Sequence, residues 1–385
     1  MSTPTTDDSR STPPSLAGFT VAITAARRAE EFAALLTRRG AQVVAAPAIE
    51  MIPLADDRAL RAGTEALIAS PPDLLIPTTG IGFRGWIEAA DEWGLADQLM
   101  SAFGGARILS RGPKVTGALR AAGLREEWSP ESESSAEVLA HLRPEDVAGR
   151  RVAVQLHGAI DGWDPNRDFV DGLTALGAEV VAVPVYSWRR PTDLGAFDAL
   201  IDDVVAHRVD AVTFTSGPAA VSMLTRAGEL GVRERLVAAL AGPVAVYSVG
   251  PVTAAPLELA GVTSRCPERM RLGALARLVV DDLPGRTGEL TVAGHRLGLR
   301  AAAAVVDGEI CDLPASGLRL LKALAGGRDG VPGTVVSRAD LLSVVGSDDE
   351  HAVEVAVGRL RAALGHREMI ATVVKRGYRL AVDIP

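Results

Sequence analysis

From Phe19 to about residue 283, short apolar segments alternate with longer amphipathic ones. The series starts with FTVAIT, RAEEFAALLTRRG and AQVVAAP and continues through RRVAVQLHG, DAVTFTS and VAVYSVG. Alternating strands and helices form parallel sheets covered on both faces by helices. Because the pattern contains more strands than one Rossmann-sized sheet holds, the sequence predicts an α/β fold with two doubly wound lobes.

Two proline-bracketed segments predict where the chain crosses between these lobes. APAIEMIP covers residues 46–53 and VPVYSWRRP covers 183–191, and neither can continue a helix. The first lobe is therefore expected to combine residues 15–49 with 187–283, and the second lobe to span 50–186. A two-stranded hinge between lobes is typical of proteins that bind a ligand in a cleft.

Composition excludes several classes of protein. The chain has 385 residues, 48% of them apolar, and the polar opening MSTPTTDDSRSTPPSLAG lacks the features of a secretory signal, so residues 1–14 are expected to be a disordered tail. No apolar run reaches membrane-spanning length, which favours a cytoplasmic protein. Two cysteines and six scattered histidines indicate neither a disulfide framework nor a metal site, and no cofactor is expected.

Three glycines in TTGIGFRGW, at positions 80, 82 and 85, satisfy the spacing of a dinucleotide-binding turn. Such a site would place an acid after the next strand, but that strand ends in Ser110 and Arg111. Arg111 would suit a 2′-phosphate, so an NADP site remains an alternative. The same design recurs in LLIPTTGIGF, AVTFTSGPAA and AVYSVGPVTA, where a strand runs into a hydroxyl residue, a glycine and a helix.

Each of these three junctions aims helix N-terminal amides and hydroxyl groups at the edge where parallel strands end, which favours anion binding. The alternative is an ordinary turn that needs glycine for backbone reasons. His157, in QLHGAIDGW, follows a strand; as a loop residue it is expected to be exposed, and it could also face the cleft. The candidate ligand-binding residues are Thr78, Thr79, Gly80, Gly82, His157, Thr215, Ser216, Gly217, Ser248 and Gly250.

These segments, together with RGPKVTGALRAAGL, VPVYSWRRP and YSVGPVTAAPLELAGV, resemble uroporphyrinogen-III synthase across about residues 15–283. The resemblance implies two lobes joined by a two-stranded ladder and conversion of hydroxymethylbilane, a linear tetrapyrrole polycarboxylate, without metal or cofactor. It also implies a catalytic role for Tyr186, whose hydroxyl would assist departure of the substrate hydroxyl. A tyrosine packed in an apolar strand is the alternative.

The pattern changes after PGRTG (284–288), which reads as a linker. Short strands with glycine turns, three helices and a terminal hairpin then predict a winged helix-turn-helix domain over 289–385. The third helix is expected to start after Ser347 and Asp348 as N-cap candidates. Its apolar stripe consists of Val353, Val357, Leu360 and Leu364.

The matches VSRADLL, AVEVAVGRLRAAL and TVVKRGYRL resemble the DNA-binding domain of OmpR/PhoB-type response regulators. The resemblance implies a third helix in the major groove of double-stranded DNA and a wing at the backbone or minor groove. Ala356, Gly358 and Ala362 depart from the usual basic pattern, so a homodimer on DNA is expected. A basic face on a protein-binding winged helix is the alternative. The residues assigned to DNA are His351, Glu354, Val355, Arg359, Arg361, Lys375 and Arg376.

No phosphorylatable receiver pattern precedes this domain. The sequence therefore predicts a transcriptional regulator whose synthase-like cleft senses a tetrapyrrole or another polyanionic small molecule. The resemblance to actinobacterial tandem proteins implies a link to nitrate and nitrite assimilation. A working uroporphyrinogen-III synthase with a regulatory appendage is the rival interpretation, and a scaffold that only dimerises the DNA-binding domains is a third.

Overall fold

The computed structural model describes residues 15–53, 58–130, 134–158, 160, 163–164 and 166–383. The predicted tail at 1–14 lies outside these residues. The described chain divides into two compact units. The first unit combines the residues up to Pro47 with those from Asp193 onward, and the second unit is Ala48–Thr192.

The strands are two to six residues long. In chain order they are β1 (Thr20–Ile23), β2 (Gln42–Ala45), β3 (Glu50–Pro53), β4 (Leu74–Pro77), β5 (Arg107–Ile108), β6 (Arg151–Leu156), β7 (Glu179–Pro184), β8 (Tyr186–Arg189), β9 (Ala211–Phe214), β10 (Ala245–Ser248), β11 (Glu289–Val292), β12 (His295–Leu299), β13 (Ala304–Val306), β14 (Glu309–Cys311), β15 (Ile370–Val373) and β16 (Gly377–Leu380).

The helices alternate with these strands up to residue 286 and then cluster. They are α1 (Ala29–Thr37), α2 (Arg58–Ala69), α3 (Gly80–Glu92), α4 (Ala96–Gly104), α5 (Pro113–Ala121), α6 (Ser135–His141), α7 (Pro144–Val147), α8 (Arg167–Ala175), α9 (Gly195–Val205), α10 (Gly217–Glu229), α11 (Arg233–Ala241), α12 (Pro251–Leu259), α13 (Leu272–Arg286), α14 (Ala315–Gly326), α15 (Arg338–Val345) and α16 (Glu350–Leu364).

The first unit contains a parallel sheet in the order β10-β9-β1-β2. Strands β1, β9 and β10 are buried throughout, as expected for a sheet with both faces covered. One covering layer packs Phe32 and Leu36 of α1 with Leu275 and Val279 of α13. The predicted parallel α/β arrangement is confirmed here.

The second unit repeats the design with the parallel order β5-β4-β6-β7. It also contains the antiparallel pair β3 and β8, in which Glu50 lies opposite Arg189 and forms a salt bridge of 3.2 Å with it. These two strands come from the two proline-bracketed segments. The predicted two-stranded ladder is therefore present.

The C-terminal domain, defined as β11 to β16, belongs to the first unit. An antiparallel sheet β11-β12-β13-β14 precedes α14, α15 and α16, and the hairpin of β15 and β16 closes the domain. The stripe of Val353, Val357, Leu360 and Leu364 on α16 is at most 3% exposed and packs into one core. The winged helix-turn-helix prediction is confirmed.

Two local predictions are wrong. The linker expected at 284–288 is helical at its start, because α13 runs through Pro284 to Arg286. Leu283 is 1% exposed, and its burial holds the last turn in place although proline removes one backbone donor. The N-cap of α16 is Asp349, whose carboxylate accepts from the His351 amide at 2.9 Å, one residue after the predicted caps.

Candidate functional site

The β4–α3 junction uses its polar groups to hold the second unit together. The Thr78 hydroxyl donates to the carbonyl of Gln155 at 2.7 Å, and the Gln155 side-chain oxygen accepts from the Thr79 amide at 3.1 Å. The Thr79 hydroxyl in turn accepts from the Gly82 amide at 3.2 Å, capping α3. Gln155 is fully buried. A lone glutamine within the apolar run VAVQL was the sequence signal for this role, and it was missed.

Steric contact explains two of the glycines at this junction. A Cβ added to Gly80 would collide with the backbone carbonyl of Lys114 at the start of α5. A Cβ on Gly82 would come within 2.6 Å of the Gln155 amide nitrogen and 2.8 Å of Val185. Close packing therefore requires glycine at positions 80 and 82, whereas an added Cβ at Gly85 would have no atom within 4 Å.

The β9–α10 junction is arranged differently. Thr215 and Ser216 are half-buried, and in the described part of the chain neither hydroxyl forms a side-chain hydrogen bond; Ser216 is the N-cap of α10 but its side chain does not cap. Gly217 starts a helix whose residues 217–224 are all buried. The first amides of a helix lack intrahelical acceptors, so this junction offers donors and hydroxyls for an anion.

At the β10–α12 junction, the serine hydroxyl is already hydrogen-bonded. Ser248 is fully buried and its hydroxyl accepts from the Ser264 hydroxyl at 2.7 Å. A Cβ on Gly250 would approach the side chain of Met270 at 2.8 Å, a flexible neighbour that can move. Ser248 is thus engaged inside the fold.

A fourth junction of the same kind follows β5 and was not counted in the sequence. Ser110 is buried, donates to the Gly112 carbonyl at 2.9 Å and accepts from the Thr116 hydroxyl at 3.1 Å. The Gly-Pro pair at the start of α5 matches the Gly-Pro pairs at α10 and α12, and this recurrence could have identified it.

An aromatic cluster surrounds Tyr186. The rings of His157 and Tyr186 have centroids 5.7 Å apart, and Trp188 contacts Tyr186 edge-on at 5.5 Å. Tyr186 is 6% exposed, so it is packed as well as adjacent to a histidine.

The expected solvent exposure of His157 is wrong. Its carbonyl accepts from the Asn166 side chain at 2.7 Å, and its buried Nδ1 has no hydrogen-bond partner among the described residues. Burial, reinforced by the nearby charge of Arg111, lowers the pKa of His157 to about 4. At neutral pH this histidine is an uncharged hydrogen-bonding group.

Comparison with known proteins identifies the larger module. Residues 30–277 match the family model of uroporphyrinogen-III synthase HemD. The chain belongs to the HemD family. Residues 308–380 match the model described as transcriptional regulatory protein, C terminal, so the HemD-type domain is fused to a DNA-binding module of the regulator type.

Individual HemD-type relatives cover the same part of the chain. The uncharacterized protein YjjA of Bacillus subtilis is 28% identical over 261 residues, 68% of this chain and 94% of that protein. A putative uroporphyrinogen-III synthase of Methanothermobacter thermautotrophicus is 30% identical over 58% of this chain and 88% of its own length. A crystal structure of a mutant uroporphyrinogen III synthase from Thermus thermophilus is 26% identical, with a TM-score of 0.54, over 67% of this chain and 96% of that one.

In the C-terminal domain, the side of α16 opposite its core stripe is exposed. His351, Glu354, Val355 and Arg359 all lie on this face. Glu354 is paired with Arg338 of α15 at 3.2 Å, so a base contact by Glu354 competes with an ion pair inside the domain.

The other basic candidates fall into two groups. Arg361 donates to the carbonyl of Ile370 at 2.6 Å and to Thr372 at 2.8 Å, so its guanidinium joins α16 to the hairpin. Lys375 and Arg376 are exposed in the tight turn between β15 and β16. All three assignments to DNA stay predictions, but Arg361 has a structural role that Lys375 and Arg376 lack.

A contact that the sequence did not indicate joins the C-terminal domain to the HemD-type lobe of the first unit. Asp210, directly before β9, accepts from the Thr20 amide at 2.8 Å with one carboxylate oxygen and from the Ala301 amide at 2.7 Å with the other. Burial raises the pKa of the Asp210 carboxyl, against the lowering effect of these two amides. One buried carboxylate therefore bridges both domains.

Neighbouring groups complete this contact. Arg300 is 6% exposed and its guanidinium lies 4.2 Å from the ring centre of Phe19. Gly18, at φ 76°, leaves room for Val305, because a Cβ there would approach Val305 within 2.9 Å. Lys322 donates to the Ala301 carbonyl at 2.8 Å. The domain contact is thus packed, charged and hydrogen-bonded.

Proposed function

We propose that this protein is a transcriptional regulator in which the HemD-type domain binds a tetrapyrrole polycarboxylate and thereby changes the affinity of the winged helix for DNA. The two family matches support the two halves of this proposal. The observation that carries the coupling is the position of Asp210.

Strand β9 connects the domain contact to the β9–α10 junction, whose hydroxyls are half-buried. Asp210 precedes the strand and Thr215 follows it, roughly 17 Å further along at extended-strand spacing. Thr213 within the strand donates to the Ala22 carbonyl at 2.9 Å, and its own carbonyl accepts from Thr24, so β9 is anchored to β1. A ligand that displaces the junction would displace a rigid element, and with it the carboxylate that holds Ala301.

The decisive experiment measures ligand binding and DNA binding separately. Uroporphyrinogen III is titrated into the full chain by calorimetry, and DNA affinity is measured with and without it. We expect Asp210→Asn to keep ligand affinity within about twofold and to lose most of the ligand-dependent change in DNA affinity. The reason is that the asparagine side chain has one acceptor oxygen, whereas the carboxylate has one for each of the Thr20 and Ala301 backbone amides. Asp202→Asn, at an exposed site on α9, is the control. A full ligand response in Asp210→Asn contradicts this route of coupling.

The DNA-reading helix is tested through Arg359. We expect Arg359→Ala to lower specific operator affinity by about 1 to 3 kcal/mol, because an exposed guanidinium on the reading face suits guanine. Arg235→Ala, exposed on α11, should leave affinity unchanged. Equal losses of operator affinity in both variants would indicate a general charge effect and contradict the proposed docking of α16.

We further propose that the protein binds its operator as a homodimer and acts on nitrate and nitrite assimilation genes. The supporting logic is chemical, because nitrite reductase requires sirohaem, which is made from uroporphyrinogen III. Genome-wide DNA occupancy with and without nitrate or nitrite tests target and signal together. Occupancy that neither changes with nitrogen source nor includes such genes contradicts this part of the proposal.

Synthase activity is the second candidate function. The placement of Tyr186 beside the neutral His157 favours it, because a phenol with a nearby imidazole can donate a hydrogen bond to a departing hydroxyl. The purified chain is incubated with fresh hydroxymethylbilane, and type III product above the spontaneous type I product supports activity. Tyr186→Phe should reduce it, while Tyr378→Phe, in the core of the C-terminal domain, should not.

A further inference from the structure

Two histidines and two carboxylates meet on the C-terminal domain, although they are far apart in sequence. His295 starts β12, Asp307 lies in the turn between β13 and β14, and His366 and Glu368 follow α16. One potential ligand atom from each of His295, Asp307 and His366 lies within 4.8 Å of the other two. The imidazole centroids are 3.7 Å apart with the planes tilted by 30°.

The distances distinguish residues that could bind a metal ion from a residue that orients one of them through a hydrogen bond. Nε2 of His295 and Nδ1 of His366 each lie 3.6 Å from the same carboxylate oxygen of Glu368. Two ligand atoms about 2.1 Å from a tetrahedral zinc ion are separated by about 3.4 Å, so this spacing suits a shared ion. Nδ1 of His295 instead lies 2.7 Å from Asp307, which is a hydrogen-bond distance.

We propose that His295, His366 and Glu368 bind a divalent transition-metal ion of the zinc class, with Asp307 orienting His295. A metal-bound histidine ordinarily donates its other ring N–H to a carboxylate, which fixes the tautomer and the ring orientation. Asp307 occupies that position. Two imidazoles and one carboxylate, with a water completing the tetrahedron, favour zinc over calcium or magnesium, which prefer sets of oxygen ligands.

The side chains have the freedom that binding needs. The rings of His295 and His366 are 25% and 38% exposed, so each can turn until its nitrogen faces a common point. An ion has direct access from solvent. The two tilted rings would move apart around the ion, while Asp307 stays hydrogen-bonded to His295.

The ion would link two parts of the C-terminal domain. His295 belongs to the β11–β14 sheet, whereas His366 and Glu368 follow the C-terminal end of α16, the helix assigned to DNA. At present this sheet meets the hairpin side through backbone contacts such as the Ala293 amide with the Ala381 carbonyl at 2.8 Å. A bound ion would cross-link the sheet to the helix end and stabilise the domain.

The test uses the full chain freed of metal with a chelator. Titration with zinc chloride by calorimetry should show one ion per chain, and cobalt(II) should give the visible absorption of a tetrahedral site. We expect His295→Gln and His366→Gln to lower affinity at least 100-fold, and Asp307→Asn to lower it 10- to 100-fold. His207→Asn, exposed on the HemD-type lobe, should bind zinc as the unchanged chain does.

Thermal unfolding distinguishes loss of the site from loss of the fold. The zinc-free variants should melt close to the zinc-free parent, whereas only the parent and His207→Asn should gain melting temperature on adding zinc. Absence of zinc binding by the parent overturns the proposal, since the cluster would then be a hydrogen-bonded network only. Binding that survives both histidine substitutions also overturns it.

Discussion

The β4–α3 and β9–α10 junctions look alike in sequence and differ in what their polar groups do. At the first, Thr78 and Thr79 bond to Gln155 of β6, and helix packing requires Gly80. At the second, Thr215 and Ser216 have no side-chain hydrogen bonds within the described chain. The comparison shows that the same strand–hydroxyl–glycine–helix pattern can have hydroxyls that are already hydrogen-bonded or hydroxyls that are not, depending on the neighbouring strand.

All five tryptophans lie between residues 86 and 188, within the second unit. Tryptophan fluorescence during urea unfolding therefore reports the unit that contains the β4–α3 junction, separately from the unit that contains β9. The first three predictions use this property.

The largest effect is expected from Gly80→Ala. The new methyl group would collide with the Lys114 carbonyl, which is backbone and cannot move aside, so we expect the second unit to lose more than about 3 kcal/mol of unfolding free energy. Gly85→Ala is the matched control in the same helix. No atom lies within 4 Å of its added Cβ, and it should stabilise by about 0.5 to 1 kcal/mol. Similar urea midpoints for the two variants would contradict the steric explanation.

The next effect is a pH dependence from His157, which follows β6. Its pKa falls from 6.5 to about 4 on folding, mainly through burial, so the neutral form is favoured in the folded state. The resulting stability is complete above about pH 6.5 and is lost as the pH falls toward 4. At about 1.4 kcal/mol per pH unit, the loss amounts to about 3 kcal/mol.

His157→Gln removes this titration. Urea midpoints at pH 7, 5.5 and 4.5 should fall less steeply in the variant than in the parent. Parallel pH profiles would mean that His157 is already accessible to protons in the folded unit.

A smaller effect is expected from Gln155→Leu. The substitution leaves the Thr79 amide without its buried acceptor, which should cost about 2 kcal/mol of the unfolding free energy of the second unit. Gln42→Leu, exposed on β2 of the first unit, serves as the comparison and should leave tryptophan-detected unfolding unchanged. A stable Gln155→Leu variant would show that the first junction is not held by its polar contacts.

Substitutions at the β9–α10 junction are expected to have the smallest effect on stability and a selective effect on ligand affinity. Thr215→Val with Ser216→Ala should weaken uroporphyrinogen binding by about 1 kcal/mol per lost hydrogen bond and change stability little. Ser248→Ala removes the acceptor of the Ser264 hydroxyl, so it should lower the unfolding free energy and leave ligand affinity unchanged. Calorimetric titration of both variants checks this, and equal ligand affinities would remove the distinction between the junctions.

Much of the fold followed from periodicity. The alternation of strands and helices predicted both parallel sheets, and the stripe from Val353 to Leu364 predicted the buried side of α16. The prolines predicted two extended crossing segments, and the family resemblance implied that these pair as the β3–β8 ladder. Local predictions failed where packing overrode a local preference. Pro284 lies within α13 because the burial of Leu283 outweighs one missing backbone hydrogen bond.

The amino-acid order by itself determined the alternation of strands and helices and the buried face of α16, because hydrophobic burial acts through local spacing along the chain. Only the tertiary structure decided that Thr78 and Thr79 form hydrogen bonds with Gln155, that Asp210 accepts from the Ala301 amide, and that His295 contacts His366. Hydrogen bonds and charge contacts act over a few ångströms between residues far apart in the chain, and no spacing rule places such partners side by side.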